Sequence, residues 1–76
     1  MYVVCSKPNG FSWRPNFFLG EDGKTMTRDF KKALWISELE QAFNLLEESD
    51  NVMYEVVMGI DVVRQKPRKI FWRKIK

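Results

Sequence analysis

A chain of 76 residues with a net charge of +3, one cysteine and no histidine is one domain, near the lower size at which a hydrophobic core stabilises a fold unaided. That inventory excludes an intrachain disulfide, Ser-His and Cys-His nucleophile arrangements and most zinc sites. Hydrophobic residues make up 45% of the chain, too many for a disordered tail, yet no run of eighteen apolar residues exists to span a membrane.

Tyr2 to Ser6 is β-branched and aromatic and reads as a strand, stopped by the turn residues Pro8-Asn9-Gly10. Lys7, Pro8 and Asn9 also break the apolar start too early for a signal peptide. Cys5 within this strand reads as a small buried residue, and a lone cysteine points to a reducing compartment, the cytoplasm. Phe17-Phe18-Leu19 and Lys24-Thr25-Met26 flank Gly20-Glu21-Asp22-Gly23, where Asp-Gly supplies the left-handed geometry of a tight hairpin. Pro15, just before it, argues against a central strand position for the Phe11–Trp13 stretch.

Ser37, with Glu40 three residues on, forms the capping-box pattern and predicts a helix over about residues 38–48. Leu39, Ala42, Phe43 and Leu46 recur at i, i+3, i+4 and i+7 and give it one apolar stripe, with Glu40, Gln41, Asn44, Glu47 and Glu48 facing water. From Val52 to Val63 the even-numbered residues Val52, Tyr54, Val56, Met58, Ile60 and Val62 alternate with Glu55, Gly59 and Asp61 among the odd ones, which predicts a long strand with one dry face. Gly59 in its middle marks a bulge or a close backbone approach. The resulting fold class is α+β, in the order β-β-β-α-β: a small antiparallel sheet of three to five strands covered on one face by a single helix.

Charge divides this chain. Residues 1–63 hold six basic and ten acidic side chains, about −4, whereas residues 64–76 hold seven basic side chains and no carboxylate. A globular domain, 1–63, is thus joined to a basic aromatic C-terminal strand or arm, 64–76. Ile70 to Ile75 either returns as an edge strand, where Lys and Arg guard against sheet-to-sheet aggregation, or extends as a mobile arm. Arg64, Lys66, Arg68, Lys69, Trp72, Arg73 and Lys74 are the candidate partner-binding residues, together with Trp13 and Arg14. Trp beside Arg can stack bases or clamp phosphate, and the same two residue types are enriched at protein-interface hot spots. The paired carboxylates Glu21-Asp22 and Glu47-Glu48 read as turn chemistry and a solvated helix end, so no catalytic couple, cofactor or metal site is expected.

The succession of an N-terminal strand, an aromatic strand with its Asp-Gly turn, Asp29-Phe30-Lys31-Lys32-Ala33, Ser37-Glu38-Leu39-Glu40-Gln41-Ala42-Phe43 and Tyr54-Glu55-Val56-Val57 resembles short phage and prophage proteins over about residues 2–60. The resemblance implies a non-enzymatic host-takeover factor of the anti-CRISPR type that binds a host protein or nucleoprotein complex. It also implies that Ala33 packs under the sheet. The basic segment after Arg64 lies outside the shared pattern, so its role rests on charge and aromatic content alone. An alternative is a nucleic-acid-binding accessory protein whose basic segment tracks phosphate, and so small a core also admits a homodimer.

Overall fold

Val3, Val4 and Cys5 are all fully buried, and because successive strand residues point to opposite faces, both faces of the first strand must be covered. The computed structural model describes residues 1–7, 15–49, 53–64 and 69–72 and shows what covers them. Five strands, β1 (Tyr2–Ser6), β2 (Phe18–Leu19), β3 (Met26–Thr27), β4 (Tyr54–Met58) and β5 (Ile70–Phe71), form one antiparallel sheet in the order β3-β2-β1-β4-β5. Helix α1 (Leu39–Ser49) packs across it, and a short helix α2 (Gly59–Val63) follows β4 directly. This is the small α+β domain expected, with α1 as its main helix.

β1 and β4 pair along their whole length, from Tyr2 opposite Met58 to Ser6 opposite Tyr54. The other edge of β1 is completed by two separate segments. Phe18 pairs with Cys5 at one end, and Ile36 pairs with Tyr2 at the other through N–H···O bonds of 2.7 and 2.8 Å. The Ser6 hydroxyl reinforces the first junction by accepting the N–H groups of Asn16 and Phe17, each at 3.0 Å.

On the α1 side, Val4, Leu19, Ile36 and Val56 meet Ala42 and Phe43, with Leu39 and Leu46 at the margin, so the helical stripe faces the sheet as its spacing requires. The opposite face carries a second cluster of Val3, Cys5, Phe18, Ala33 and Val57, closed by Phe30, Trp35, Val62 and Ile70. Phe30 belongs to a 3₁₀ turn, Phe30–Lys32, whose start is capped by Asp29 accepting the Lys31 N–H at 2.9 Å. Its ring makes edge contacts with Phe18 and Trp35, at centroid distances of 5.8 and 5.4 Å.

Several expectations are corrected. The long strand over Val52–Val63 ends at Met58, and Gly59 opens a helix in place of a bulge. Over five residues, period 2 and period 3.6 place apolar positions almost alike, so Ile60, Val62 and Val63 fit either pattern. The close approach at Gly59 is made by the Trp35 indole and not by backbone. Glu55, expected on the outer face, is buried beside Cys5.

Smaller shifts occur at the hairpin and the helix start. The second hairpin arm begins at Met26, because the Asp22 carboxylate accepts the N–H groups of Lys24 and Thr25 and keeps both in the turn. Gly23, with φ of 71°, takes the left-handed position. The first helical bond of α1 runs from Ala42 N–H to Glu38 C=O, so Glu38 occupies the cap and Ser37 precedes it. The expected turn at residues 8–10 and the aromatic stretch 11–13 lie outside the described residues.

Candidate interaction surface

The basic segment is anchored in the sheet where it is described. Ile70 and Phe71 pair with Val57 and Val56 of β4, which makes this part an edge strand and not an arm. Its two side chains go to opposite faces. Ile70 joins the second cluster, while Phe71 packs on the α1 side with its ring edge-on to Tyr2 at 5.3 Å.

On either side of those two paired residues stand Lys69 and Trp72. Lys69 is exposed and places its Nζ 5.6 Å from the centre of the Phe71 ring, a cation–π contact. Trp72 is 72% exposed, the most open of the large apolar side chains among the described residues. Arg64 is exposed at the end of α2, where its N–H donates to the carbonyls of Ile60 and Val62. β5 thus supplies a short sheet edge with an open indole at one end and a cation at the other. Of the remaining expected contact residues, Lys66, Arg68, Arg73, Lys74, Trp13 and Arg14 lie outside the described residues.

Other surface features have weaker or no sequence signals. Ile60 and Val63 are exposed three residues apart on α2, and the exposed Met1 lies beside them through its carbonyl, which accepts the Gly59 N–H at 2.9 Å. Arg28 lies 5.1 Å over the Phe17 ring near the far edge of the sheet, followed by exposed Lys31 and Lys32. These cations were masked in the sequence by neighbouring Asp22 and Asp29, both of which spend their carboxylates on local backbone N–H groups. α1 carries acidic side chains and no basic ones, with Glu38 just before it.

Among the described residues, no three His, Cys, Asp or Glu side chains gather as a metal site, and no helix is long and apolar enough to cross a membrane. Comparison with known proteins finds no matching family model, no similar curated protein and no similar solved structure.

Proposed function

We propose that this is a small non-enzymatic binding protein of the phage host-takeover, anti-CRISPR-like type, which acts in the host cytoplasm by occupying a surface of a host protein or nucleoprotein complex. The observation that carries this reading is Trp72, left 72% exposed at the end of an edge strand within a basic segment. An exposed indole costs solvation and adds nothing to the core, whereas Trp amid cations is the composition of an interface hot spot. β5 is the edge strand among the described residues, and its outer side offers main-chain groups to a partner.

Affinity capture from the host with and without nuclease tests this. A protein partner retained after nuclease and lost with Trp72→Ala supports the reading. Loss of all partners on nuclease treatment refutes it.

Trp72 also favours a second reading, direct binding of nucleic acid, because an exposed ring among cations is a base-stacking platform. Seven phosphate contacts would give a slope of log K against log salt of at most about −6. A tight, competitor-resistant complex with bare oligonucleotides would place this reading first.

A further inference from the structure

Among the described residues β5 has a strand neighbour on one side only, and the hydrogen-bond phase of the sheet fixes which of its residues faces outward. Tyr2 exchanges main-chain bonds with Ile36, and the Ser6 N–H donates to Phe17 C=O at 2.9 Å, so the even-numbered residues of β1 turn their polar groups away from β4. Val3 and Cys5 turn theirs toward β4, to Val57 and Glu55. Met1 keeps the same phase, since its carbonyl accepts the Gly59 N–H. Val56, between Glu55 and Val57, therefore faces the other way, toward its partner Phe71. Phe71 spends its N–H and C=O inside the sheet, and Ile70 directs both of its own outward. The side chains divide as well. Lys69 stands with Phe71 on the α1 face, and one more step of the alternation places Trp72 on the opposite face with Ile70.

Given the host-binding reading above, on which this rests, we propose that an extended acidic segment of the partner protein pairs antiparallel with β5 as a sixth strand and exchanges main-chain hydrogen bonds with Ile70. Three features select that occupant. An outward donor and acceptor on one residue match a peptide main chain, whereas a phosphate backbone offers acceptors alone. Each strand pair of this sheet is antiparallel, and a further one continues the pattern. Charge supplies the third feature, and it comes from the strand itself. Within four residues of Ile70 on either side, a reach of at most about 14 Å, the chain carries Lys66, Arg68, Lys69, Arg73 and Lys74 and no carboxylate. The adjoining β4 and α2 add one acid each, the buried Glu55 and the half-buried Asp61, which leaves this edge cationic. The same excess opposes a second copy of the chain, which would bring its own cations alongside. A segment with acids on one face and apolar residues on the other sets an acid opposite Lys69 and apolar side chains opposite Ile70 and Trp72.

The probe is an end-blocked, fluorescein-labelled Glu-Val-Glu-Val-Glu-Val-Glu peptide, titrated by anisotropy at neutral pH and low salt against the full chain. Saturable binding is expected, with none for the peptide in which Lys replaces Glu. N-methylation at the valines should abolish binding, because with valines on the Trp72 face their N–H groups point at β5, whereas N-methylation at the glutamates should leave it. Lys69→Gln should bind about two- to fivefold more weakly, as one exposed ion pair would give. Ile70→Pro removes an N–H that serves no bond of the sheet, so it should lose the peptide with its circular-dichroism melt retained, and Ile70→Val should keep both. Absence of binding by the acidic probe, or unchanged binding by folded Ile70→Pro, overturns the proposal. Equal binding of the probe methylated at valine also overturns it, because charge alone would then be read. So does a concentration-dependent dimer, seen by sedimentation and lost in Ile70→Pro, which would make a second copy the occupant. Capture from the host separates this from the reading beneath it. A partner held equally by the parent and Ile70→Pro but lost with Trp72→Ala would overturn strand addition alone, whereas strand-dependent peptide binding with no captured host protein would uphold strand addition and refute the host-binding reading.

Discussion

The indole of Trp35 lies where a side chain on residue 59 would stand. A Cβ built on Gly59 would fall 2.7 Å from Cη2 and 2.9 Å from Cε3 of that ring, and closer still to Cζ3. Gly59 is therefore a packing requirement beside the second cluster. Two effects of Gly59→Ala oppose each other. Helix propensity favours alanine by about 1 kcal/mol, whereas forcing atoms into a filled site costs about 1–3 kcal/mol. Packing should win, and the urea midpoint should fall. In a Trp35→Leu background the same change should become neutral or stabilising, and a cost that persists there would mean that Trp35 is not the obstacle.

Phe43 and Ser37 test the two ends of the argument about α1. Phe43 is buried in the cluster between α1 and the sheet, so Phe43→Ala should cost about 3–5 kcal/mol, enough to unfold so small a domain. Ser37 lies one residue before the cap, and Ser37→Ala should stay within about 0.5 kcal/mol of the parent. Chemical denaturation of both variants checks the pair. A loss of about 1 kcal/mol for Ser37→Ala would restore the serine to the capping role that its sequence pattern suggests.

What could be read from the sequence was local. The β-branched run of β1, the Asp22-Gly23 turn and the stripe Leu39, Ala42, Phe43, Leu46 each have a short-range physical cause, and each stands where its pattern requires. The cover of the second core, Phe30 and Trp35, had no such signal. Phe30, Ala33 and Trp35 show no periodicity, and their burial comes from pairing across the chain, Gly20 with Ala33 and Tyr2 with Ile36. The same pairings set residues 34–37 beside α1, a placement that a list of elements does not contain. Trp72 and Lys69 were singled out from charge and aromatic content, which need no knowledge of the fold, and both are exposed. The pairing of Ile70 and Phe71 with β4 was left open, since neither face of that segment is wholly apolar.

Asp22 gives the hairpin a pH dependence. Its pKa is lowered to about 2, first by the hydrogen bond from the Thr25 hydroxyl, at 2.6 Å from Oδ2, and then by the N–H groups of Thr25 and Lys24. A carboxylate held below its unfolded value stabilises the fold above that value and loses the contribution as pH falls through the folded pKa. Stability should therefore decline from about pH 4 toward pH 2. Melting temperatures of Asp22→Asn across this interval should fall less steeply than those of the parent. Equal slopes would show that other carboxylates govern the acid transition.

Phe71 and Trp72 are adjacent, and their contributions should separate completely. Phe71 is paired with Val56 and edge-on to Tyr2, so it belongs to the fold, while Trp72 is open to solvent. A half-buried ring truncated to alanine should lose about 1–3 kcal/mol. Trp72→Ala should stay within about 0.5 kcal/mol of the parent, yet weaken capture of the partner by the tenfold or more typical of hot-spot residues. Truncation after Gln65 removes β5 and exposes the edge of β4, so it should lower the melting temperature markedly as well as remove binding. If that truncation left the melting temperature unchanged, β5 would be dispensable to the fold, and the separation of an anchoring Phe71 from a contacting Trp72 would fail.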